Sequence, residues 1–425
     1  MKVFKFGGAS VKDALAVKNV SAILARFPKE NIIVVVSAMG KTTNKLEELI
    51  DALCAQDVSK YTGCLNELKS YHLEILTGLF PEKNDSIYQA TEAIFEQLAL
   101  EFKKPLTENT SFLYDQIIAL GEVLSSKILA AYLTNQHYNA TWLDAKTIIR
   151  TDNLYQEAQV DWLKTKELCD QKVLPLLNSY SIVVTQGFIG HTAEGFTTTL
   201  GREGSDYSAG ILAYCCHAAS VTIWKDVPGM LNADPKYFEK TELLSQLSFK
   251  EAIELSYYGA SVIHPKTVQP LQQKNIPLFV RSFLDFEAPG TIISSNATRD
   301  AQIPSYIVKY NQVLVTFSSK DFSFIAEQQL SEIFAALSSI KATINLMQNS
   351  ALNFSVLVDS KKIDMNQLKQ SLGQYYHIRY NENLELVTIR HYNDTILNQM
   401  SKDKICLVKQ QTRTTARIVL QPKNS

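Results

Sequence analysis

The chain has 425 residues, and its 42 Lys and Arg residues nearly balance 43 Asp and Glu residues, giving a formal net charge of −1. This balance argues against a nucleic acid or an anionic membrane as partner, because such binders carry an excess of basic residues on one face. Hydrophobic residues make up 46% and charged residues 20%, a composition that favours a folded protein over a disordered one. At about 150 residues per domain, the length predicts two or three domains.

Neither a membrane span nor an export signal is predicted. The longest aliphatic run, Ile32–Val36, is far shorter than the roughly 18 apolar residues that a spanning helix needs. The first six residues contain two lysines and lead straight into Gly7, without the apolar core of a signal peptide. The six cysteines lack the spacing of a disulfide framework or a zinc site. We therefore expect a cytoplasmic enzyme with reduced, mostly buried thiols and without a dedicated metal site.

Short apolar runs alternate with amphipathic stretches over the first part of the chain, a pattern typical of an α/β domain with a mainly parallel sheet. Strands are predicted at residues 3–6, 32–37, 182–186, 221–224 and 276–280. Helices are predicted at residues 11–27, 46–53, 112–133 and 209–215, and residues 61–110 are also typical of helix.

Turn-forming residues cluster at 289–303, which predicts a domain boundary there. Beyond it, strands are expected at residues 313–317, 351–358, 384–389, 405–408 and 416–420, with helices at 324–337, 365–375 and 395–400. Strand-helix-strand-strand units of about 60 residues are typical of ferredoxin-like modules, and two of them fit in the remaining length.

The first motif with chemical meaning is the segment Lys5-Phe6-Gly7-Gly8-Ala9-Ser10, where a predicted strand gives way to a predicted helix with Ser10 as its N-cap. Glycines let a phosphate approach the backbone, and a helix amino terminus offers free N–H groups. This pattern predicts a phosphate site beside Lys5, although a tight turn alone would have the same sequence.

Two further polar segments border predicted strands and helices. Ser37 and Thr43 lie between a buried strand and a helix, where the carboxyl end of a parallel sheet commonly binds ligands. Arg202, Ser205 and Asp206 lie in a Gly-Arg-Glu-Gly-Ser-Asp segment before an apolar helix, and a guanidinium can bind a carboxylate through two hydrogen bonds. The alternatives are a helix cap for the first segment and, for the second, a surface arginine with a dipole-stabilising aspartate.

The segment 224–236 leaves another strand through a Pro-Gly turn, and loops of this kind can border a nucleotide pocket or simply reverse the chain. Glu122 interrupts an otherwise apolar helix face, where a carboxylate needs a cationic partner. His264 precedes a proline without a companion ligand at metal-binding spacing, so we expect a structural role for it.

In this order along nearly the whole chain, the motifs resemble those of the aspartate kinases of the amino-acid kinase family. The resemblance rests on the Lys-Phe-Gly-Gly start, the Ser-Ala-Met-Gly turn, the Gly-Arg-x-Gly-Ser-Asp loop, the Trp-x-Asp-Val-Pro-Gly loop and the segment Tyr-Gly-Ala-Ser-Val-Ile-His-Pro at 258–265. It implies a carbamate-kinase-like αβα sandwich over residues 1–296 and two ferredoxin-like ACT modules over 297–425. One ACT module would be completed by an earlier strand, at residues 305–310.

The reaction implied by the resemblance is transfer of the γ-phosphate of ATP to the side-chain carboxylate of L-aspartate, giving 4-phospho-L-aspartate. Lys5 and Asp206 would be the catalytic pair. Mg²⁺ would bind as a complex with ATP, and no prosthetic group is expected. The aspartate-binding residues would be Ser37, Thr43, Glu122, Arg202 and Ser205. The ATP-binding residues would be Lys5, Gly7, Gly8, Ser10, Lys225, Asp226, Leu231, Lys236, Ser261 and Val262.

The chain departs from the family pattern mainly in its nucleotide-binding half. Lys225 replaces a common threonine, Leu231 an aromatic residue, Lys236 an arginine and Ser261 a lysine, so Lys225 and Lys236 are candidates to restore lost positive charge. Two other functions are compatible with the sequence. One is a kinase for another acidic metabolite, such as glutamate or acetylglutamate, and the other is a catalytically silent amino-acid sensor.

The resemblance also implies a homodimer formed through the ACT modules and an amino-acid effector bound near Asn345 and Ser350. Lysine-inhibited relatives use an acidic residue where this chain has the neutral Asn345. A lysine site would thereby lose one charge-assisted contact, worth about 1.5–3 kcal/mol. Lysine inhibition is therefore not expected, and we expect another amino acid or none. A fused homoserine dehydrogenase is not expected either, since the chain has no Gly-x-Gly-x-x-Gly motif.

Overall fold

The computed structural model describes residues 1–82, 85–104, 109–260 and 262–423. They form two compact units. The first contains Met1–Leu231, Glu242–Tyr257 and residues 262–300. The second contains Asn232–Thr241, the short segment Tyr258–Ala260 and the residues from Ala301 onwards.

The first unit is built on an eight-stranded sheet of order β3-β4-β2-β1-β7-β9-β10-β8, with a separate β5-β6 hairpin. The strands are β1 Lys2–Phe6, β2 Ile32–Val36, β3 Ala140–Leu143, β4 Ile182–Gln186, β5 Ile189–His191, β6 Thr197–Thr199, β7 Ser220–Lys225, β8 Gln246–Ser248, β9 Leu278–Ser282 and β10 Thr291–Ser294. The six neighbouring strands β3, β4, β2, β1, β7 and β9 are parallel, which confirms the prediction of a mainly parallel sheet. Strand β10 is antiparallel to β9.

Nine helices accompany this sheet in the part of the chain that the structure describes. They are α1 Ala14–Leu24, α2 Thr42–Cys54, α3 Val58–Leu79, α4 Ser86–Glu101, α5 Thr110–Asn135, α6 Trp162–Ser179, α7 Gly204–Cys215, α8 Phe249–Tyr258 and α9 Pro265–Gln273. Helices α1 to α5 share one hydrophobic cluster with one face of the sheet, and α7 contacts β1, β2 and β7. The architecture is the predicted αβα sandwich.

Strand β1 lies at the centre of the sheet and presents different chemistry to its two faces. Phe4 and Phe6 belong to the cluster shared with α1 to α5. Lys5 lies between them and therefore points to the opposite face, since successive side chains of a strand alternate. Strands β2 and β7 lie on either side of β1, so the strand order of the sheet reverses at β1. The carboxyl end of β1 is therefore a topological switch point. Ligands bind at such points in open parallel sheets.

Helix α5 is long and apolar enough to cross a membrane by length and composition, with a mean hydropathy of 1.5 over its best window. Within the structure, 83% of that window is buried. It contacts β2, β3, β4 and β6, which is the behaviour of a core helix.

The second unit is a six-stranded antiparallel sheet of order β12-β13-β11-β14-β16-β15. Its strands are β11 Ser305–Ser319, β12 Ile344–Asn349, β13 Asn353–Asp359, β14 Tyr376–Arg390, β15 Lys404–Gln411 and β16 Thr415–Pro422. Its helices are α10 Glu327–Ser339, α11 Met365–Leu372 and α12 Asp394–Ser401.

Two ferredoxin-like modules share this sheet because β11 and β14 are each long enough to serve both. The second part of β11, from Gln312, pairs with β13 and with the first part of β14. The first part of β11, Ser305 to Lys309, pairs with the end of β14, from Leu386 to Arg390. The prediction that residues 305–310 complete the final module is confirmed.

One sequence-based expectation about a helix start was wrong. Ser10 is not a helix N-cap: Gly8–Val11 form a 3₁₀ turn, and α1 begins three residues later, where the side chain of Asp13 accepts a hydrogen bond from Ala16 N. The prediction of helix in the stretch 61–110 is confirmed for the described residues, which form most of α3 and all of α4. The strands β3, β5, β6, β8, β10 and β12 and the helices α6, α8 and α9 were not predicted.

Candidate active site

A cavity of about 430 Å³ opens at the carboxyl ends of the central strands of the first unit. It collects side chains from segments far apart in the chain. The predicted site residues that line it are Lys5, Ser37, Thr43, Glu122, Arg202, Ser205 and Asp206. The whole predicted aspartate-binding set and the predicted catalytic pair therefore share one cavity.

The centre of its charged wall is Asp206, which is fully buried in the first turn of α7. One carboxylate oxygen lies 2.6 Å from Lys5 Nζ and the other lies 3.2 Å from Lys225 Nζ. Burial acts to raise the pKa of Asp206, but the charges of Lys5 and Lys225 outweigh it and hold the pKa below its ordinary value. A carboxylate between two ammonium groups fixes both cations in place with their remaining N–H donors available.

Glu122 carries the opposite kind of perturbation. It is 4% exposed on α5, and among the described residues its Oε2 has no hydrogen-bond partner. Burial raises the pKa of Glu122 to about 8, a rise that the Ala38 N–H and the charge of Lys5 only partly offset. A buried carboxyl group with a free oxygen facing a cavity is suited to receive a cation from a ligand.

The two glycine-bearing loops after β1 and β2 pack backbone against backbone. A side chain at Gly8 would lie 2.7 Å from the Ala38 carbonyl oxygen, and the Gly40 N–H donates to the Gly8 carbonyl at 3.0 Å. A side chain at Gly7 would lie 3.4 Å from Lys5 Nζ. Glycine is thus required at position 8 so that the two loops can meet at the cavity edge. Ser10 is buried behind them in the 3₁₀ turn.

The loop that carries Arg202 has a strained backbone. Gly201 has φ +76° and Glu203 has φ +56°, a left-handed conformation that costs free energy for any residue but glycine. Arg202 lies between them, exposed at the cavity wall, and α7 begins at Gly204. The Glu203 carboxylate lies 3.9 Å from Lys225 Nζ, so Lys225 is held from two sides.

Of the predicted ATP-binding residues that the structure describes, only Lys5 lines this cavity; Gly7, Gly8, Ser10 and Lys225 lie beside it without lining it, and the others lie elsewhere. Asp226 is exposed just after β7, Leu231 makes an isolated bridge with Leu243, and Val262 is half-buried. Lys236 is exposed and belongs to the second unit. Ser261 lies outside the described residues. Their assignment to ATP stays a prediction.

Both predicted effector residues belong to the second unit and make internal hydrogen bonds. The amide oxygen of Asn345 accepts from Lys309 Nζ at 2.8 Å. Its amide nitrogen donates to Gln312 Oε1 at 2.8 Å and to Asp359 Oδ1 at 3.2 Å. Ser350 is exposed in the turn between β12 and β13, where its hydroxyl donates to the Asn353 carbonyl at 3.1 Å. Their role in effector binding stays a prediction.

Sequence reasoning missed several cavity residues, namely Tyr114, Gln156, Glu157, Phe188 and Glu203. Most come from irregular segments without a recognisable motif. Glu203 lies inside a quoted motif, but only the structure shows its side chain near Lys225.

His264 and the six cysteines have defined environments in the structure. His264 is the N-cap of α9 and accepts a hydrogen bond from Lys266 N at 3.2 Å, which confirms its structural role. Of the six free cysteines, Cys54 and Cys406 are exposed and the others are buried. Within the described ranges, no group of three His, Cys, Asp or Glu side chains could hold a metal ion.

Comparison with known proteins shows the family to which the chain belongs. The family model for the amino acid kinase family matches residues 1–282. Lysine-sensitive aspartokinase 3 of Escherichia coli (strain K12) is 31% identical over 359 residues, which cover 84% of this chain and 78% of the relative. The chain therefore belongs to the amino acid kinase family and, within it, to the aspartokinases.

Solved structures support the same relationship over the full length. E. coli aspartokinase III in complex with lysine and aspartate, in its T-state, superposes with a TM-score of 0.83 at 26% identity and covers 99% of this chain and 95% of that one. The same enzyme in complex with aspartate and ADP, in its R-state, gives a TM-score of 0.82 at 26% identity, covering 99% and 96%. The predicted kinase fold with C-terminal ACT-like modules is confirmed.

Proposed function

We propose that this chain transfers the γ-phosphoryl group of ATP to the side-chain carboxylate of L-aspartate, giving 4-phospho-L-aspartate, the first step toward lysine, threonine and methionine. The observation that carries the proposal is a single cavity lined by a buried carboxyl group, Glu122, an exposed guanidinium, Arg202, and the ion pair of Lys5 with Asp206. Asp206 also holds Lys225 beside this cavity. These groups match the ammonium, the α-carboxylate and the reacting anions of the two substrates.

The reaction needs charge neutralisation more than proton transfer. The nucleophile is a carboxylate with a pKa of about 3.9, so it is already an anion at neutral pH and needs no general base. Attack on a phosphate brings two anions together, and the catalyst has to align them while cations reduce their repulsion. Lys5 and Lys225 supply two such cations beside Asp206.

We assign the residues at the phosphoryl end accordingly. Lys5 binds the phosphoryl group in transfer, Asp206 holds Lys5 in position, and Lys225 adds the second positive charge. Gly7 and Gly8 would donate backbone N–H groups to the phosphate oxygens. Lys225 lies in the segment where the chain departs from the family pattern, and its ion pair with Asp206 supports its role as the replacement for lost positive charge.

At the amino-acid end, Glu122 would bind the ammonium of aspartate and Arg202 would bind its α-carboxylate. Ser37, Thr43 and Ser205 border the same cavity and would hydrogen-bond the substrate carboxylates. An ammonium and a carboxylate recognised by separate charges would orient the side-chain carboxylate of aspartate toward Lys5.

Mg²⁺ would enter with ATP and neutralise charge on the phosphates. The chemistry of the cavity fits this arrangement, because the Asp206 carboxylate is already paired with two lysines. A magnesium ion held largely by phosphate oxygens and water matches the usual coordination of Mg²⁺ with nucleotides.

We further propose that residues 1–296 form the catalytic domain and residues 297–425 the regulatory ACT modules of a cytoplasmic homodimer. An amino-acid effector would bind the ACT modules near Asn345 and Ser350. Size-exclusion chromatography with light scattering tests the dimer, and a monomer at micromolar concentration would contradict it.

A hydroxylamine trap tests the reaction directly. The purified protein is mixed with Mg-ATP, hydroxylamine and either L-aspartate, L-glutamate or N-acetylglutamate, and the hydroxamate is measured. We expect hydroxamate with aspartate alone. Product with another acid would identify a different acyl kinase, and the absence of any product would indicate a silent sensor. Lys5→Met should abolish the signal, whereas Lys2→Met should retain it, because Lys2 lies on the same strand but pairs with Glu30.

A further inference from the structure

Helix α5 carries a second buried carboxylate, Asp115, two turns before Glu122 on the same face of the helix. Asp115 is completely buried and does not line the cavity. It has no part in the reaction proposed above. A buried carboxylate is costly unless its oxygens accept hydrogen bonds, so the partners of Asp115 show what it holds in place.

All of those partners belong to two segments that border the cavity. Asp115 Oδ2 accepts from Thr199 N at 2.8 Å, and Oδ1 accepts from the Thr199 hydroxyl at 2.7 Å. Gln156 N donates to both oxygens, at 3.2 and 3.1 Å. Gln156 lines the cavity, and Thr199 lies three residues before Arg202. Burial raises the pKa of Asp115, whereas these donors act in the opposite direction.

The two segments are also tied to each other and to the next residue of the helix. Ala158 N donates to the Thr199 carbonyl at 3.0 Å. Gln116 Nε2 donates to the Thr197 carbonyl at 2.8 Å, and its amide oxygen accepts from Thr197 N at 3.2 Å. A side chain on Gly201 would lie 3.3 Å from the Gln156 carbonyl oxygen. The backbone that presents Arg202 therefore rests on residues that α5 holds.

We propose that Asp115 is a positioning residue that fixes Arg202 relative to Glu122, so that one helix sets the separation between the two charges that recognise the amino acid. The inference rests on the proposed function. Asp115 acts through Thr199 and Gln156 and does not touch substrate. Loss of its hydrogen bonds should loosen the loop of Arg202 and weaken aspartate binding, while the phosphoryl end, fixed by Lys5 and Asp206, keeps its geometry.

The test removes one hydrogen bond and leaves the carboxylate. Thr199→Val deletes the hydroxyl that donates to Asp115, and Thr199→Ser retains it. Thr165→Val is the matched control, because Thr165 lies in α6, is equally buried and does not line the cavity. Its hydroxyl accepts a hydrogen bond from Arg150 N and donates one to the Arg150 carbonyl. Asp115→Asn is a stronger variant that leaves one oxygen facing the same donors.

We expect Thr199→Val to raise KM for aspartate by about fivefold or more, with KM for ATP and kcat changed less than about twofold. Thr199→Ser should have the wild-type KM for aspartate. Thr165→Val should lower Tm and leave KM for aspartate unchanged. An unchanged KM for aspartate in Thr199→Val, an equal rise in KM for ATP, or the same rise in Thr165→Val would overturn the proposal. Failure of the proposed function is distinct, since the wild-type protein would then form no hydroxamate with aspartate.

Discussion

The ionisation of Glu122 offers a test of how the amino group of the substrate is recognised. Burial raises the pKa of Glu122 to about 8 from an ordinary value of 4.5. That difference corresponds to about 5 kcal/mol of cost for ionising the carboxyl group in the ligand-free cavity. At pH 7 the group is therefore about nine-tenths protonated before substrate binds. Binding of an ammonium beside it should bring the pKa back down and release the proton.

Isothermal titration calorimetry in buffers of different ionisation enthalpy measures this proton. At pH 7, binding of L-aspartate should release about 0.9 protons per site, and the release should fall as the pH is raised through 8. Glu122→Gln should release none and should bind aspartate about 10- to 100-fold more weakly, because a charge-assisted hydrogen bond is lost. Glu167→Gln, a matched change in a surface ion pair of α6, should leave the release intact.

The same pKa predicts how stability depends on pH. Between pH 4.5 and about 8, the unfolded chain has lost the Glu122 proton while the folded, ligand-free protein retains it. Stability from this group therefore falls as pH rises through that window and levels off above it. Glu122→Gln should lack this part of the decline. Wild-type protein that releases no proton at pH 7, or a Glu122→Gln variant that releases as many as wild type, would refute the reasoning.

Three other outcomes follow from the site and the second unit. Lys5→Met should lower kcat by about a thousandfold or more with a smaller effect on KM for aspartate, whereas Lys2→Met should leave kcat unchanged. Steady-state kinetics measures both variants, and an equal loss of kcat in the two would contradict the catalytic assignment of Lys5. Arg202→Lys should raise KM for aspartate about tenfold because an ammonium lacks the two-pronged geometry; an unchanged KM would contradict it. L-Lysine titrated into the assay should not inhibit, because the Asn345 amide already binds Lys309; saturable inhibition that Asn345→Ala abolishes would contradict this.

Much of the first unit was predictable from sequence because its central strands are apolar on both faces. Residues 32–36 and 182–186 can be buried only inside a sheet covered on both sides. Strands such as β6, with three threonines, and β3, at the sheet edge, carry no such signal. Their pairing is decided by tertiary contacts with α5, which no local pattern reveals.

The site was predicted as a set of residues, but not as a set of contacts. Lys225 was expected to restore positive charge, yet its contact with Asp206 depends on a strand and a helix that are brought together only by the sheet. Ser10 was taken for a helix cap because serine commonly fills that position, while a 3₁₀ turn moves the helix start to Asp13. Asp115 went unnoticed because a carboxylate on a helix is usually a solvent-facing residue.

Strand β11 also has a bearing on how the C-terminal half can change over evolutionary time. The first residues of β11 complete the sheet of the last module, and its remaining residues are part of the sheet of the preceding module. A stop codon placed after Arg390 would remove β15 and β16 and leave β14 as an unpaired edge strand. Exposed edge strands promote aggregation. Neither module keeps its complete sheet without the strands of the other, so we expect the two modules to be retained or lost together.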